Sequence, residues 1–537
     1  MKISLKLLFL FCLVLFLIHL NYLFPDIMEA RNFVTAREMV DDGNWIFTTI
    51  NDVPRYQKPP LPTWLSAGMA LIFGTDSLWA LRFPAALSSV ILVWFFFKLV
   101  YSETENKKLA SLATLILTTT FLVLFIGKRA EWDIYSYNFG LIGIYFFYLT
   151  FKNSNKEFLN FSLAGIFLGL SFMSKGPTAW YVIGAPFFIA YWLTYGFPKI
   201  KWKGWLWMVS LALLIGLSWY AYIYMYDKDN LLQIIGVESN ARVNHEVKSV
   251  ERYLSFPVQM GVWAIFSVVS LIFPFVKKKT DYPRPYKFFF WWTILCLILL
   301  SIIPSKKERY LFPMMIPLAA TTGFYLYALI SSQDRKQWEN IVAKISFGLI
   351  GLVGLAVPVI LFIVFKIQFG FYSVALSLVS VLTGAFMLFQ VFGQMAIKKL
   401  IWANIGFIAS AVILGIPVID EIFNGNPNRH PFMEQKEMIQ NSGLKLYAYN
   451  AYIPEMWFKY QELIPEIFTD NPDSFPKENE FYLIAMRNIS VEQTQKELAQ
   501  IGIRIELIDE FDDNEVMEGN KNYVDRKKLY LFKAFRD

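Results

Sequence analysis

The sequence predicts an all-α polytopic membrane protein with a small C-terminal soluble α/β domain, on three observations. Hydrophobic residues make up 56% of the 537 and charged residues 17%, for a mean hydropathy of +0.41. Apolar runs of roughly 20 residues, the length a helix needs to cross about 30 Å of hydrocarbon, recur along most of the chain. From about residue 425 those runs stop, carboxylates become frequent and short alternating segments take over. A soluble core cannot hide this much apolar surface.

The runs number about thirteen, near residues 4–24, 81–100, 108–127, 134–151, 157–174, 178–195, 204–225, 256–276, 286–303, 310–331, 343–366, 372–393 and 400–418. The first follows Lys2 and Lys6 and lacks a small-x-small cleavage site, so it reads as an uncleaved helix. His19 inside it reads as a helix-packing hydrogen-bonder. Cys12 and Cys296 both lie in apolar runs, which gives no disulfide framework.

Threading the runs alternately across a bilayer places Lys107 and Lys108, Lys199, Lys201 and Lys203, Lys277 to Lys279 with Arg284, Arg335 and Lys336, and Lys398 and Lys399 on one side. Basic residues near spans mark the cytoplasmic side. The opposite, external side then receives a large first loop at 25–80, the Arg129–Asp133 turn, Lys175, the 226–255 loop, the 304–310 turn and everything beyond the last span. Cations gathered there run against the usual bias and point to an anionic ligand at the outer face of a cytoplasmic (inner) membrane, with membrane lipids as neighbours and no nucleic acid.

The chain divides at about residue 424. Beyond it, Lys445–Asn450, Phe481–Met486, Ile503–Leu507 and Leu529–Phe532 alternate as strands do, and Ser490–Gln500 reads as a helix. Residues 425–537 hold no dense cluster of acids, bases and nucleophiles, so this domain is expected to cover a site on that side without performing its chemistry.

Within the first loop, Met28–Val40 predicts a helix along the membrane surface, its apolar Met28, Phe33, Val34 and Met39 set among charges. Asp26-x-x-Glu29 fits a capping box, in which both carboxylates would only satisfy backbone amides. Gly43-Asn44-Trp45 reads as a helix stop followed by an interfacial aromatic.

The ordered run Glu29-x-Arg31, Ala36-Arg37-Glu38-Met39, Gly43-x-Trp45, Tyr56-x-Lys58-Pro59-Pro60, Phe73-Gly74 and Arg82-Phe83-Pro84 resembles the first external loop of the GT-C membrane glycosyltransferases. The likeness is to the branch of lipid A aminoarabinose transferases and polyprenyl-phosphate-mannose protein mannosyltransferases. Asp133, Ser174-Lys175-Gly176-Pro177, Glu238-x-x-x-Arg242 and Lys307-Glu308-Arg309-Tyr310 resemble later elements of the same family, over about residues 1–330. Two positions depart from it. Met28 stands where the first carboxylate of an Asp-Glu pair is usual, and Gln57 replaces an acid before Lys58.

The resemblance implies transfer of a sugar from a polyprenyl-phosphate donor to a lipid, glycan or protein acceptor. A hydroxyl acceptor needs a carboxylate to take its proton, whereas a phosphate acceptor does not. The catalytic candidates are Glu29, Asp133 and Asp26. The leaving lipid phosphate needs cations in a partly desolvated site, and the substrate-binding candidates are Arg31, Lys58, Lys175, Arg242, Lys306, Lys307, Arg309 and Tyr310. A divalent cation is carried as a candidate cofactor, with Glu29 and His245 its weak ligands. Taken singly, Lys175 and Arg309 also fit snorkelling side chains at helix ends, and Asp133 fits a structural pair with Arg129. The rival class is a transporter or lipid flippase. Against it, the halves show no internal symmetry and the unusual charges gather at one face.

Overall fold

The computed structural model of the protein describes residues 4–152, 156–199, 201–244, 247–332, 335–520 and 523–536, with 241–244 described by backbone alone. Two units make up the chain. The first comprises Met1–Leu20, Arg55–Met69 and Leu78–Ile416, and the second Asn21–Pro54, Ala70–Ser77 and Pro417–Asp537. The division drawn from composition at residue 424 differs from this one, because the second unit also takes in most of the first loop.

The first unit is helical. Its elements include α1 (Leu5–Leu17), α4 (Leu78–Thr104), α5 (Lys107–Thr118), α6 (Phe121–Gly127), α7 (Trp132–Phe151), α8 (Glu157–Lys175), α9 (Ala185–Tyr195), α10 (Trp202–Tyr226) and α11 (Lys228–Asn244); α2 (Ile27–Asp41) lies in the second unit, and α3 (Leu61–Phe73) follows Pro60. Among the described residues, seven helices are long and apolar enough to span a membrane, or ten if each of three bent pairs is one span. About thirteen were expected, and three of the expected runs fall short for visible reasons. The first helix ends at Leu17, just before His19 turns left-handed at φ 58°. The run at 134–151 becomes α7, whose first turns carry Asp133, Ser136 and Asn138. The run at 178–195 is a five-residue π-helical turn, Trp180–Gly184, joined to the 11-residue α9.

One bent pair has a clear cause. Helices α5 and α6 meet at 67°, and at the break the hydroxyls of Thr118, Thr119 and Thr120 donate to the carbonyls of Thr114, Leu115 and Ile116 at 2.8, 2.6 and 2.8 Å. Such back-bonding draws carbonyls off the helix axis and bends it. The end of α1 is pinned in turn by Lys128, whose ammonium donates to the carbonyls of Leu15 and Phe16 at 2.9 and 3.1 Å and to that of Ile18. Nearby, Arg82 donates to Leu20 O and the His19 ring meets Ile413 O at 2.7 Å.

Helix α8 packs against both α7 and α10. Gly165 makes the second contact possible, since a Cβ there would lie 2.7 Å from the Met208 carbonyl oxygen. Because α7 and α8 are consecutive and antiparallel, the first turn of α7 and the last turn of α8 share one end of the bundle. That end receives Asp133 and Lys175.

The second unit holds two sheets. β1 (Thr49–Ile50) and β2 (Val53–Pro54) form a hairpin, and the five-stranded sheet has the order β4-β3-β5-β7-β6. Its strands are β3 (Leu446–Tyr449), β4 (Glu466–Ile467), β5 (Glu480–Met486), β6 (Ile503–Asp512) and β7 (Lys528–Arg536). β3 pairs in parallel with β4 and β5, and the remaining pairs are antiparallel. The four segments expected as strands are strands, and Val491–Ala499 is helical. The two-residue β4 was not anticipated. Phe481, Leu483, Phe532 and Ile505 meet Leu498 of that helix in the core.

The first-loop helix α2 exists as the sequence suggested, but it does not lie with a solvated charged face. Ala30, Phe33, Val34, Ala36 and Met39 are all at 0% exposure, and Glu29, Arg37 and Glu38 are buried as well. Helix Pro454–Tyr460 packs along it. Phe33 meets Phe458 at 5.4 Å between ring centroids, Arg37 donates to Trp457 O at 2.9 Å, and the Asn51 amide exchanges two hydrogen bonds with the Ile464 backbone, at 2.6 and 3.1 Å. The Glu38 carboxylate accepts from Thr49 Oγ1 and Asn51 N, both at 2.5 Å, and bridges the β1–β2 turn, where Asn51 and Asp52 are left-handed as a two-residue hairpin requires. Burial raises the Glu38 pKa above the ordinary carboxylate value, with its hydrogen bonds and the Arg37 charge pulling it back, and lowers that of Arg37, with Glu38 and the neighbouring carboxylates pulling it back.

Deleting residues beyond 424 strips helix Pro454–Tyr460 from α2, and the truncated chain is expected to lose thermal stability. Glu38→Ala, which orphans the turn amides, is expected to cost roughly 2–4 kcal/mol, read as a lowered unfolding midpoint and faster proteolysis at residues 49–54.

Candidate active site

Lys175 occupies the last turn of α8 because the chain must stop there: Gly176 adopts φ +69°, which a side chain disfavours, and Pro177 cannot continue the helix. Its ammonium meets Asp133 Oδ1 at 2.5 Å, with both side chains shielded at 14% and 4% exposure. It also lies 5.3 Å from the centre of the Tyr310 ring. Arg309 flanks the same ring at 5.7 Å and donates to Glu131 Oε2 at 3.1 Å, while Arg129 approaches the other Glu131 oxygen at 3.6 Å. Three sequence-distant segments, 129–133, 175–177 and 309–310, thus converge through alternating charges.

A fourth segment joins them. Lys58 meets Glu238 Oε1 of α11 at 2.5 Å, and the Tyr56 hydroxyl donates to Asp227 Oδ2 at 2.6 Å. Burial, followed by the neighbouring carboxylate, raises the Tyr56 pKa, so this phenol stays protonated and keeps donating. The Arg55 guanidinium stacks 4.8 Å over Trp132. A cavity of about 530 Å³ opens here, with Lys58, Lys175 and Glu238 in its wall beside Tyr220, Leu231 and Ile235. It offers two shielded ammonium groups at one place and aliphatic and aromatic surface at another.

The predicted residues divide among several places. Asp133, Lys58, Lys175, Arg309 and Tyr310 come together in the first unit. Lys307, half-buried, precedes the short helical turn Glu308–Leu311. Lys306 is buried with its ammonium on the carbonyls of Lys248, Ile303 and Pro304 at 3.0, 2.7 and 3.4 Å, so its three donors brace the loop backbone. Asp26, Glu29 and Arg31 belong to the second unit. Asp26 caps α2, accepting from Met28 N at 2.9 Å and Glu29 N at 3.1 Å, which is the capping reading of its sequence. Glu29 is fully buried, and Arg31 stacks 5.1 Å over Tyr452. Arg242 lies in α11, four residues after Glu238; its side chain and all of His245 lie outside the described residues.

Sequence reasoning missed Glu131 as a bridge, Glu238 as the partner of Lys58, and the Tyr56–Asp227 bond. The first two stand inside motifs already quoted, and the signal available was the demand of each shielded cation for a counter-charge. Among the described residues, no group of three or more His, Cys, Asp or Glu is arranged to hold a metal ion. The site carboxylates Asp133, Glu131 and Glu238 each face a cation instead, a donor set that does not fit a divalent ion.

Comparison with known proteins follows this geometry. The family described as dolichyl-phosphate-mannose-protein mannosyltransferase matches residues 57–222. The chain is 27% identical over 355 residues to an undecaprenyl phosphate-alpha-4-amino-4-deoxy-L-arabinose arabinosyl transferase of Shewanella sediminis, covering 63% of this chain and 61% of that one. It is 24% identical over 380 residues to one from Proteus mirabilis, covering 70% and 68%. The matches thus span about two thirds or less of these relatives' length. In structure it superposes on ArnT from Cupriavidus metallidurans bound to undecaprenyl phosphate, with a TM-score of 0.70 at 14% identity over 98% of this chain and 97% of that one. At such identity the likeness establishes the fold alone, which the chain shares with that ArnT over nearly its whole length. The chain is thus similar to aminoarabinose transferases and, over residues 57–222, to the protein mannosyltransferase family, the likeness its motifs implied, and it is a multi-pass membrane protein.

The Asp133–Lys175 pair predicts non-additive stability. Lys175→Met alone leaves a shielded carboxylate without its ammonium and is expected to cost about 3 kcal/mol, much of it recovered in the Lys175→Met/Asp133→Asn double variant. Thermal unfolding of the four proteins of that cycle measures it.

Proposed function

We propose that this chain is a membrane glycosyltransferase that moves a sugar from a polyprenyl-phosphate carrier to a lipid, glycan or protein acceptor at the outer face of the cytoplasmic membrane. The observation that carries the reading is the pair of shielded lysines, Lys58 and Lys175, in the wall of one cavity whose remaining wall is largely apolar. A lipid phosphate needs that combination. Its headgroup takes charge-assisted hydrogen bonds from the ammonium groups, and Leu231, Ile235 and Tyr220 suit the first isoprenoid units. The names of the relatives, and the lipid bound to the ArnT of similar fold, support the same donor class.

In the proposed reaction the acceptor oxygen attacks the anomeric carbon, and the bond from that carbon to the phosphate oxygen breaks with inversion. Negative charge grows on the departing lipid phosphate, and Lys58, Lys175 and Arg309 stabilise it because they stand in place beforehand. The Tyr310 hydroxyl supplies a neutral donor beside them. For a hydroxyl acceptor, Asp133 takes the proton; for a phosphate acceptor, which brings its own charge, Asp133 orients the Lys175 ammonium. Glu29, Asp26, Arg31 and Arg242 stay in the proposal on their motif positions. No step runs through a divalent cation. Residues 1–424 carry the chemistry, and 425–537 select the acceptor while holding α2 in shape.

The test uses the full chain in nanodiscs, with undecaprenyl-phosphate-linked aminoarabinose or mannose as donor and lipid A or a Ser/Thr peptide as acceptor, products being read by mass spectrometry. Transfer to one acceptor is expected. Lys58→Ala and Lys175→Ala should each lower kcat on the order of 10², and Lys58→Arg should recover only part, because a planar fork meets phosphate differently from a point charge. Wild-type turnover in both alanine variants overturns the assignment.

A further inference from the structure

We propose that Glu238 is a competing counter-ion: its carboxylate holds the Lys58 ammonium when the cavity is empty and yields it to lipid phosphate, setting how tightly that phosphate binds and how readily it leaves. This rests on the cavity being the lipid-phosphate site.

The two carboxylates facing the cavity lysines are not equivalent. Asp133 is 4% exposed and sits in the first turn of α7, where the helix N-terminus favours a negative charge, so its pair with Lys175 is the less readily opened of the two. Glu238 is 30% exposed while its partner Lys58 is 16% exposed. Water therefore reaches the carboxylate more readily than the ammonium. Leaving costs Glu238 less than it would cost Lys58, because the carboxylate is the better hydrated of the two. Glu238 also lines the cavity itself, so its charge repels an arriving phosphate as well as competing for the lysine.

Helix α11 can let the carboxylate swing away without coming loose. Its start is tied independently, through the Tyr56 hydroxyl to Asp227, the residue just before α11. The Lys58–Glu238 contact lies eleven positions further along. Breaking the second contact leaves the first intact, which makes exchange local.

The sign of this inference is unusual for a site residue, since removing the carboxylate should strengthen binding. The probe is undecaprenyl phosphate without sugar, titrated into the full chain in nanodiscs, with undecaprenol as the uncharged control. Glu238→Gln is expected to bind undecaprenyl phosphate about fivefold tighter than wild type, the range of one part-shielded ion pair, and Glu238→Asp to bind as wild type does. In a Lys58→Gln background, Glu238→Gln should lose most of its effect, because the competed-for ammonium is gone. If Glu238→Gln fails to fold, Glu238→Ser reads the same charge loss at the same position. Equal or weaker binding by the folded charge-loss variant, with wild type still preferring undecaprenyl phosphate, overturns the proposal alone. A wild type that does not distinguish undecaprenyl phosphate from undecaprenol overturns the lipid-phosphate reading of the cavity and this proposal with it.

Discussion

A charge shielded from water at the end of an apolar helix bundle is tolerable only beside an opposite charge, and the architecture of the first unit follows from that constraint. The Asp133–Lys175 contact joins the beginning of α7 to the end of α8. Glu131 draws Arg309 and Arg129 together, and Lys58 reaches α11 through Glu238. Removing one member of such a pair costs more than the pair contributes, because the survivor is left with neither water nor partner. The same pairs gather loops that are far apart in sequence around one cavity, so stability and function draw on the same contacts.

Elementary backbone chemistry brings those charges within reach. Gly176 and Pro177 end α8 one residue after its lysine, and the antiparallel turn from α7 to α8 returns that end to Asp133. Three successive threonines bend the α5–α6 span, and three carbonyls at the end of α1 converge on Lys128. In the second unit, Glu38 closes the hairpin that leads towards Arg55, Tyr56 and Lys58 in the sequence. The Ala36-Arg37-Glu38-Met39 motif is thereby explained locally: the arginine fixes a tail carbonyl, the glutamate fixes a turn, and Ala36 and Met39 are core.

What was legible in the sequence was what depends on composition or close neighbours. The long apolar helices, the strands after residue 425, the Asp26 cap and the run of motif residues all follow from local periodicity and spacing. Among the described residues seven to ten helices have the length and hydropathy of a span, and an apolar run does not reveal a left-handed turn such as that at His19 or a π turn such as Trp180–Gly184. Contacts between remote segments were not legible at all. Asn51 and Ile464 stand 413 residues apart, and nothing in either segment announces the other. For the same reason the tail read as a separate domain, when α2 is built against helix Pro454–Tyr460.

Arginine and lysine both fix geometry in this chain. Arg37 holds Trp457 O, Arg526 grips both Glu455 oxygens, and Arg309 and Arg129 meet on Glu131, while Lys128 and Lys306 each brace three carbonyls. A planar fork of donors loses little by being held and gains direction. The described cations in the cavity wall are Lys58 and Lys175. An ammonium is a point charge with three donors on a flexible stem, able to keep part of its shell on a carboxylate while turning the rest to phosphate. In the proposed role the cavity binds a lipid phosphate and then releases it, and Lys58, held by the more exposed carboxylate of Glu238, is the cation suited to exchanging partners.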